Sequence, residues 1–354
     1  MSLNSAGDAT RPVLTPLRLG VVAGRLGEAR NVITIARAAE DAGFELLGLG
    51  DNQSLWQDVY VSLTLAAEAT SKIRLGPCVT NLVTRHAAVT ASAIATVDEV
   101  SGGRAFLGVG PGDSSVLNIG ARPARLTEVE TGVKSIRAML SGQEVSDGDR
   151  TMHVRWSTRA VPIFVAAEGP KGLALAGRVA DGAFVSFGLT SADIQAAEQH
   201  IAGAAVAAGR TQDAVEVWHA ARVTMAGTDS EAMQRARSGM ASVAHHALRL
   251  PRAAIGVPLD LVDPLEELNA KYRTAEHAEL GDSFNARLVD YLGLMPYLTS
   301  RYGMVGTVEQ CARRVAELSR SGIRRLLLMY SGLDVESQIH LWRHDVMPLV
   351  DLEG

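Results

Sequence analysis

Short, mainly apolar runs alternate with amphipathic stretches along almost the whole chain, and this alternation limits the fold more than any motif does. The runs fall at 19–22, 46–49, 73–75, 105–109, 162–166, 183–185, 215–225 and 325–329. Segments of helical spacing lie between them at 28–42, 59–69, 87–100, 128–140, 171–179, 192–208, 230–245 and 308–319, with a last one at 335–346. In the first of these, Val32, Ile33, Ile35, Ala36 and Ala39 recur on a helical period, and Gly43 stands where a helix-ending glycine belongs. Strands without internal polar alternation are covered on both faces, as in a parallel sheet wrapped by helices. Repeated right-handed strand–helix–strand crossovers have one common closed solution, the (β/α)8 TIM barrel. An α/β fold of this kind is predicted, as a single domain over 13–351. The alternative, an open doubly wound sheet, rarely needs so many evenly spaced parallel strands.

Two segments break the alternation. Residues 141–161 are polar, with Gly142, Asp147 and Gly148, and read as a surface excursion. Residues 246–306 carry Pro251, Pro258, Pro264 and Pro296 among helix formers such as those at 265–270. A structureless loop of that length is disfavoured inside a domain. A helical insertion after strand seven is therefore expected, near the mouth of the barrel.

Composition removes several functional classes. Of 354 residues, 47% are hydrophobic and 21% charged, which suits a folded globular protein. Lys and Arg number 34 against 39 Asp and Glu, a formal charge of −5 with no basic block, so binding to nucleic-acid phosphates is not expected. No apolar run approaches the roughly 18 residues of a membrane span. The stretch from Met1 to Pro12 has no apolar secretory core, so a cytoplasmic location is expected. Cys78 and Cys311 are distant and form no CxxC pair, which argues against a disulfide framework or a cysteine zinc site. The histidines are scattered and no HExxH occurs. His245 and His246 are adjacent and would point about 100° apart on a helix, and His153 and His219 read as surface or strand residues, so no metal is expected. A hydrolase elbow, GxSxG, is also missing.

In a barrel of this type the chemistry gathers at the C-terminal ends of the strands. Strand two ends in Gly50-Asp51-Asn52, strand three in Cys78-Val79-Thr80-Asn81 and strand four in Gly110-Pro111-Gly112-Asp113-Ser114. Strand five ends in Ala167-Glu168-Gly169-Pro170-Lys171, strand six at Ser186 and strand eight at Tyr330-Ser331. The mouth thus offers two carboxylates, Asp51 and Asp113, and two Gly-Pro turns. Neither glycine segment has the spacing of a dinucleotide fingerprint. Gly169-Pro170 does lead into a helix, where free N–H groups and the helix dipole suit a phosphate, and Pro170 would take the first helical position. A plain tight turn is the competing reading. Asp51 would either take part in catalysis or cap the following helix. Trp56 would either stack on a ligand or pack beneath its loop.

Residues 73–81 (IRLGPCVTN), 90–99 (TASAIATVDE), 103–104 (GR) and 107–113 (LGVGPGD) resemble the luciferase-like superfamily, and within it the branch that uses the deazaflavin coenzyme F-420, typified by methylenetetrahydromethanopterin reductases. Gly169-Pro170-Lys171 is similar to that family's fifth-strand phosphate region, and Gly306-Thr307-Val308-Glu309 to its lead into the last crossover, with Val308 in place of proline. The resemblance implies a barrel with a bulge and a non-prolyl cis peptide at Cys78-Val79. It further implies a ring lying against Cys78, Val79, Thr80 and Asn81, with Gly110, Gly112, Asp113 and Ser114 near the ring or its ribityl chain. Ala167, Glu168, Gly169, Pro170 and Lys171 would lie around the phosphate.

The activity implied is hydride transfer between coenzyme F-420 and a small organic substrate, in a homodimer that buries helices near strands two and three. An FMN-dependent monooxygenase or reductase is the alternative, and a non-catalytic flavin-binding barrel a third. Two departures bear on mechanism. Several enzymes of the branch follow the strand-two Asp with His, where this chain has Asn52, and the reductases carry an acid near the end of strand one, where this chain has Ala23-Gly24-Arg25. An amide transfers no proton at neutral pH, so an acid or base must be sought elsewhere, at Asp51 or Asp113.

Overall fold

The computed structural model describes residues 17–247, 256–273, 276, 279, 281–330, 332 and 334–350. The eight apolar runs form strands in one parallel sheet: β1 (Arg18–Ala23), β2 (Leu46–Leu49), β3 (Arg74–Pro77), continued by β4 (Thr80–Asn81), β5 (Leu107–Gly110), β8 (Ile163–Ala167), β9 (Gly182–Val185), β10 (Glu216–Met225) and β12 (Arg325–Tyr330). Their spatial order is β3-β2-β1-β12-β10-β9-β8-β5-β4. The ring closes where Leu75 bridges Ala105 and accepts the Phe106 N–H, while Thr80 pairs with Val109. That closure excludes the open doubly wound alternative.

The intervening helices are α1 (Asn31–Asp41), α2 (Val59–Ala69), α3 (Ala87–Ser101), the single turn α4 (Ser114–Leu117), α5 (Leu126–Leu140), α6 (Pro170–Val179), α7 (Ser191–Ala207) and α8 (Asp229–Ala247). The polar excursion at 141–161 contains a hairpin, β6 (Val145–Asp147) with β7 (Arg150–Met152), which turns through Gly148. After α8 come α9 (Val262–Lys271), α10 (Phe284–Tyr291), α11 (Met295–Tyr302) and β11 (Gly303–Gly306), then α12 (Val308–Arg320) and α13 (Val335–Leu341). Much of 246–306 is therefore helical, although 248–255, Pro251 among them, lies outside the described residues, as do Met1 to Pro12, Ser331 and both ends of 13–351.

Sequence pattern alone did not indicate β11. It pairs with Arg222–Met225 in the upper half of β10, while β9 pairs only with Glu216–His219 in the lower half. Arg222 and Val223 pair on their other side with β12, so β11 occupies the place that β9 vacates. The segment holding α9 to α11 thus re-enters the sheet at its C-terminal end. Arg301 on α11 anchors it: buried to 4% exposure, it donates to Asp193 at 2.7 Å and to the Tyr297 hydroxyl at 2.6 Å.

The barrel interior is filled in its lower half. Val22, Leu46, Phe106, Phe164, Phe184, Trp218 and Leu327 form one buried cluster, with the Phe164 and Phe184 rings stacked at 5.0 Å. Glycines at facing positions make room for these rings. A Cβ at Gly182 would lie 2.0 Å from the Phe164 ring, and one at Gly76 2.0 Å from the Phe106 carbonyl oxygen. Below the plug, Glu216 accepts from Trp218 at 2.6 Å and pairs with Arg74 at 2.9 Å, which satisfies the indole N–H inside the barrel.

Candidate active site

Above the plug the inner wall opens. Cys78, Val79 and Met329 pack on the aromatic cluster yet stay only partly buried, between the fully buried stretches Leu75–Pro77 and Thr80–Asn81. The Cys78-Val79 peptide is cis, as the resemblance implied, and it divides β3 from β4. Burial pushes the Cys78 thiol up to about 12, with Arg222 pulling the other way, so the sulfur is a neutral apolar surface at physiological pH. Gly110 faces the same floor: a Cβ there would meet Val79 at 3.1 Å and Ala166 at 3.4 Å.

A polar collar fixes one side of this hollow. Asp51, at the end of β2, accepts from the Thr80 hydroxyl at 2.6 Å and is ion-paired with Arg85. Arg85 also pairs with Asp58 at 2.7 Å and lies over the Tyr60 ring. Asp58, not Asp51, caps α2, accepting from the Tyr60 and Val61 N–H groups, so the capping alternative for Asp51 is replaced by a buried ion pair. Asn52 donates to the Ser114 hydroxyl at 2.8 Å, and Asn81 to that of Ser115 at 3.2 Å. Asn81 also accepts from the N–H groups of Val83 and Thr84. These bonds tie the ends of β2 and β4 to α4 and leave the Asn52 and Asn81 side chains little freedom. Gly112 takes φ +86°, a left-handed conformation that suits glycine, and a Cβ there would strike Val116 at 2.5 Å.

The opposite side is charged. Glu168 follows β8, and Gly169 and Pro170 open α6 with proline in the first helical turn, as anticipated, leaving N–H groups at Lys171 and Gly172 directed out of the helix end. Arg222, on the inward register of β10 with Trp218, is partly buried above the plug. Burial lowers its basicity, while Glu168, Cys78 and Tyr272 act to hold its proton. Asp113 stands at the N-cap position of α4 without capping it, and its Oδ2 lies 3.2 Å from Nε2 of His246 in the last turn of α8. Beside it, the His245 ring stacks on Tyr272 with centroids 4.0 Å apart and planes 5° from parallel. Trp56 packs across the ends of β1 and β2, against Gly24 and Gly50.

The structure thus gathers the ends of β2, β4, β5 and β8 at one mouth, with Asp51 and Asp113 on its rim. Sequence reasoning missed Arg85, Arg222 and His246. Arg222 lay inside an apolar run, where an inward cation is the readable signal. His246 was set aside for its neighbour, and its place beside Asp113 follows from the course of α8, which carried no readable signal. Among the described residues no group of three or more His, Cys, Asp or Glu is placed to hold a metal, and no helix is long and apolar enough to cross a membrane. A cavity of about 630 Å³ lies at the other end of the barrel, between the start of β1 and the residues around His344.

A parallel barrel with its titratable groups gathered at the C-terminal mouth and its lower interior sealed is arranged as barrel enzymes arrange their active sites. Residues 12–325 match the luciferase-like monooxygenase family, and the chain belongs to it. It is 30% identical over 299 residues to 5,10-methylenetetrahydromethanopterin reductase of Methanolobus tindarius, covering 82% of this chain and 87% of that one. Over 173 residues, 43% of this chain and 47% of the other, it is 35% identical to a coenzyme F-420-dependent hydroxymycolic acid dehydrogenase of Mycobacterium tuberculosis. The solved reductase of Methanopyrus kandleri superposes with a TM-score of 0.75 at 24% identity, covering 95% of this chain and all of that one.

Proposed function

We propose that this protein is an oxidoreductase that moves a hydride between coenzyme F-420 and a small organic substrate. The observation that carries the reading is the hollow floored by Cys78, Val79 and Met329, an apolar surface left partly open above a sealed barrel. It fits a planar ring, and the start of α6 fits a phosphate. When bound, the coenzyme supplies two-electron hydride chemistry, and the protein supplies orientation and exclusion of water.

Each group has a task under this reading. Cys78 and Val79 back the ring face. The main chain at Val79 and Thr80 meets its polar edge, held still by the Thr80–Asp51 bond. Gly110 and Gly112 keep the approach narrow and free of side chains, and Ser114 and Asn81 border the ring or its chain. The N–H groups that follow Gly169-Pro170 hold the phosphate with Lys171, beside Ala167. Glu168 would repel that phosphate, and Arg222 offsets its charge. Asp51, paired with Arg85 inside the protein, serves as a positioning group, and Asp113 is the carboxylate that faces the substrate.

The relatives named for coenzyme F-420 favour it over FMN, and the second cofactor enters as an outcome of the test. Titration of the full chain with coenzyme F-420 and with FMN, followed by fluorescence, is expected to give saturable binding of the deazaflavin. Binding of FMN alone would transfer the assignment to the flavin branch, and binding of neither would support a non-catalytic barrel. A homodimer is part of the proposal. The side-by-side helices α2 and α3, next to strands two and three, expose Val61 (60%) and Val89 (56%), apolar surface that a second copy would cover.

A further inference from the structure

We infer that His246, held by Asp113, is the acid–base group of this mouth, and that the substrate is an alcohol or the matching carbonyl compound; this rests on the hydride-transfer reading above. The pair joins two elements distant in sequence, the turn after β5 and the last turn of α8, with 3.2 Å between Nε2 and Oδ2. Both side chains keep about a fifth of their surface open, 21% and 22%, so they are supported by the protein and reachable from the mouth. Asp113 occupies a helix N-cap position and does not cap. Its carboxylate is turned to the histidine instead, the arrangement that orients an imidazole and stabilises its protonated form.

The groups around His246 are consistent with that role. His245 meets it edge-on at 6.0 Å from the same helix, and is itself stacked on Tyr272 and 3.2 Å from the Asn269 side chain. Arg222 and Glu168 act on each other across the mouth, and Arg222 acts on Tyr272. On α8 itself the next charged group, Arg237, lies more than two turns earlier and is committed to Asp282 and Asp290. Asp113 is the carboxylate paired with His246.

A dedicated acid–base pair also selects the substrate class. Hydride addition to an already cationic C=N carbon needs no proton, whereas reduction of a carbonyl carbon does. In the oxidative direction the alcohol C–H bond breaks, and its electron pair leaves as hydride to the oxidised coenzyme. The hydroxyl proton passes to neutral His246, a C=O bond forms, and an imidazolium paired with the Asp113 carboxylate remains. The reverse reaction returns the proton to the carbonyl oxygen while the reduced coenzyme gives up its hydride. Asn52, which transfers no proton, makes such a donor necessary.

The test uses the full chain, His246→Gln and Asp113→Asn. In the protein without coenzyme, the imidazole NMR signal of His246 should titrate at lower pH in Asp113→Asn than in the parent; an unchanged midpoint would overturn the pairing. Coenzyme F-420 should bind His246→Gln within about two-fold of the parent. With a panel of small alcohols, aldehydes and ketones as probes, kcat of His246→Gln should fall about 10²–10⁴-fold and one limb of the pH profile should vanish, with partial rescue by added imidazole. Retention of both rate and limb would overturn the assignment to His246. A parent that binds coenzyme F-420 but turns over none of the panel would overturn the substrate class. A parent that fails to bind it would instead overturn the proposed function beneath.

Discussion

At the scale of single residues, the mouth separates groups held inert from groups left available. Cys78 belongs to the first kind although it borders the hollow, because burial takes its thiol to about 12, and Cys311 in the core of α12 reaches about 12 for the same reason. Thiolate is the alkylating form, so at pH 8 neither residue should react with iodoacetamide in the native protein, while both react in denaturant. Mass spectrometry after brief labelling checks this, and rapid native labelling of Cys78 would contradict the floor described here. Asp51 and Asp113 show how far sequence carries at this scale. Both were legible as acids ending barrel strands. Their different partners, Arg85 for one and His246 for the other, depend on loops and on a helix far away in the chain, which no local pattern encodes.

At the scale of elements, hydrophobic period was the readable signal, because strands covered on both faces and helices covered on one must differ in it. The range 59–69 matches α2 as observed, and most other ends agree within one or two residues. The break between β3 and β4 and the insertion of β11 were illegible for a common reason: each is set by its neighbours in the sheet.

Glycines carry the same lesson. Gly203, exposed within α7, has open space at its Cβ position, so Gly203→Ala should raise stability by about 0.5–1 kcal/mol through lost freedom of the unfolded chain. At Gly76 the added methyl meets backbone, and Gly76→Ala should cost about 1–3 kcal/mol as overpacking. Urea melts of the two variants should shift in opposite directions, and a neutral Gly76→Ala would refute the close packing of β3 on β5.

Element junctions also set the acid response. Glu40 at the end of α1 accepts from the N–H groups of Ser71, Lys72 and Ile73, which enter β3. Slight burial works to raise its pKa, and those three donors outweigh it, leaving the carboxyl below its ordinary 4.5. Asp58 is lowered likewise, burial opposing the N–H groups of α2 and the charge of Arg85. A carboxyl depressed in the folded state stabilises fully above its unfolded pKa, and that contribution disappears as the pH falls through the folded value. Glu40→Gln should therefore melt below the parent at pH 6, and the gap should shrink below about pH 4. A gap that stays constant down to pH 3 would show that the clamp does not depend on charge.

For the whole molecule, the proposed function uses the mouth and the flank formed by α2 and α3. They are coupled through the chain, since Asp58 and Tyr60 at the start of α2 hold Arg85, which holds Asp51 at the rim. A partner copy covering Val61 and Val89 would thus steady the collar that fixes Thr80, one reason for an enzyme of this design to work as a dimer. Val61→Glu with Val89→Glu places charge on that flank while touching neither the core nor the mouth. Sedimentation should then give the monomer mass where the parent gives twice it, and coenzyme F-420 should bind more weakly as the collar loosens. A dimeric double variant would move the interface elsewhere on the barrel. A monomeric variant with undiminished coenzyme binding would leave the dimer face intact as an idea and break its link to the site.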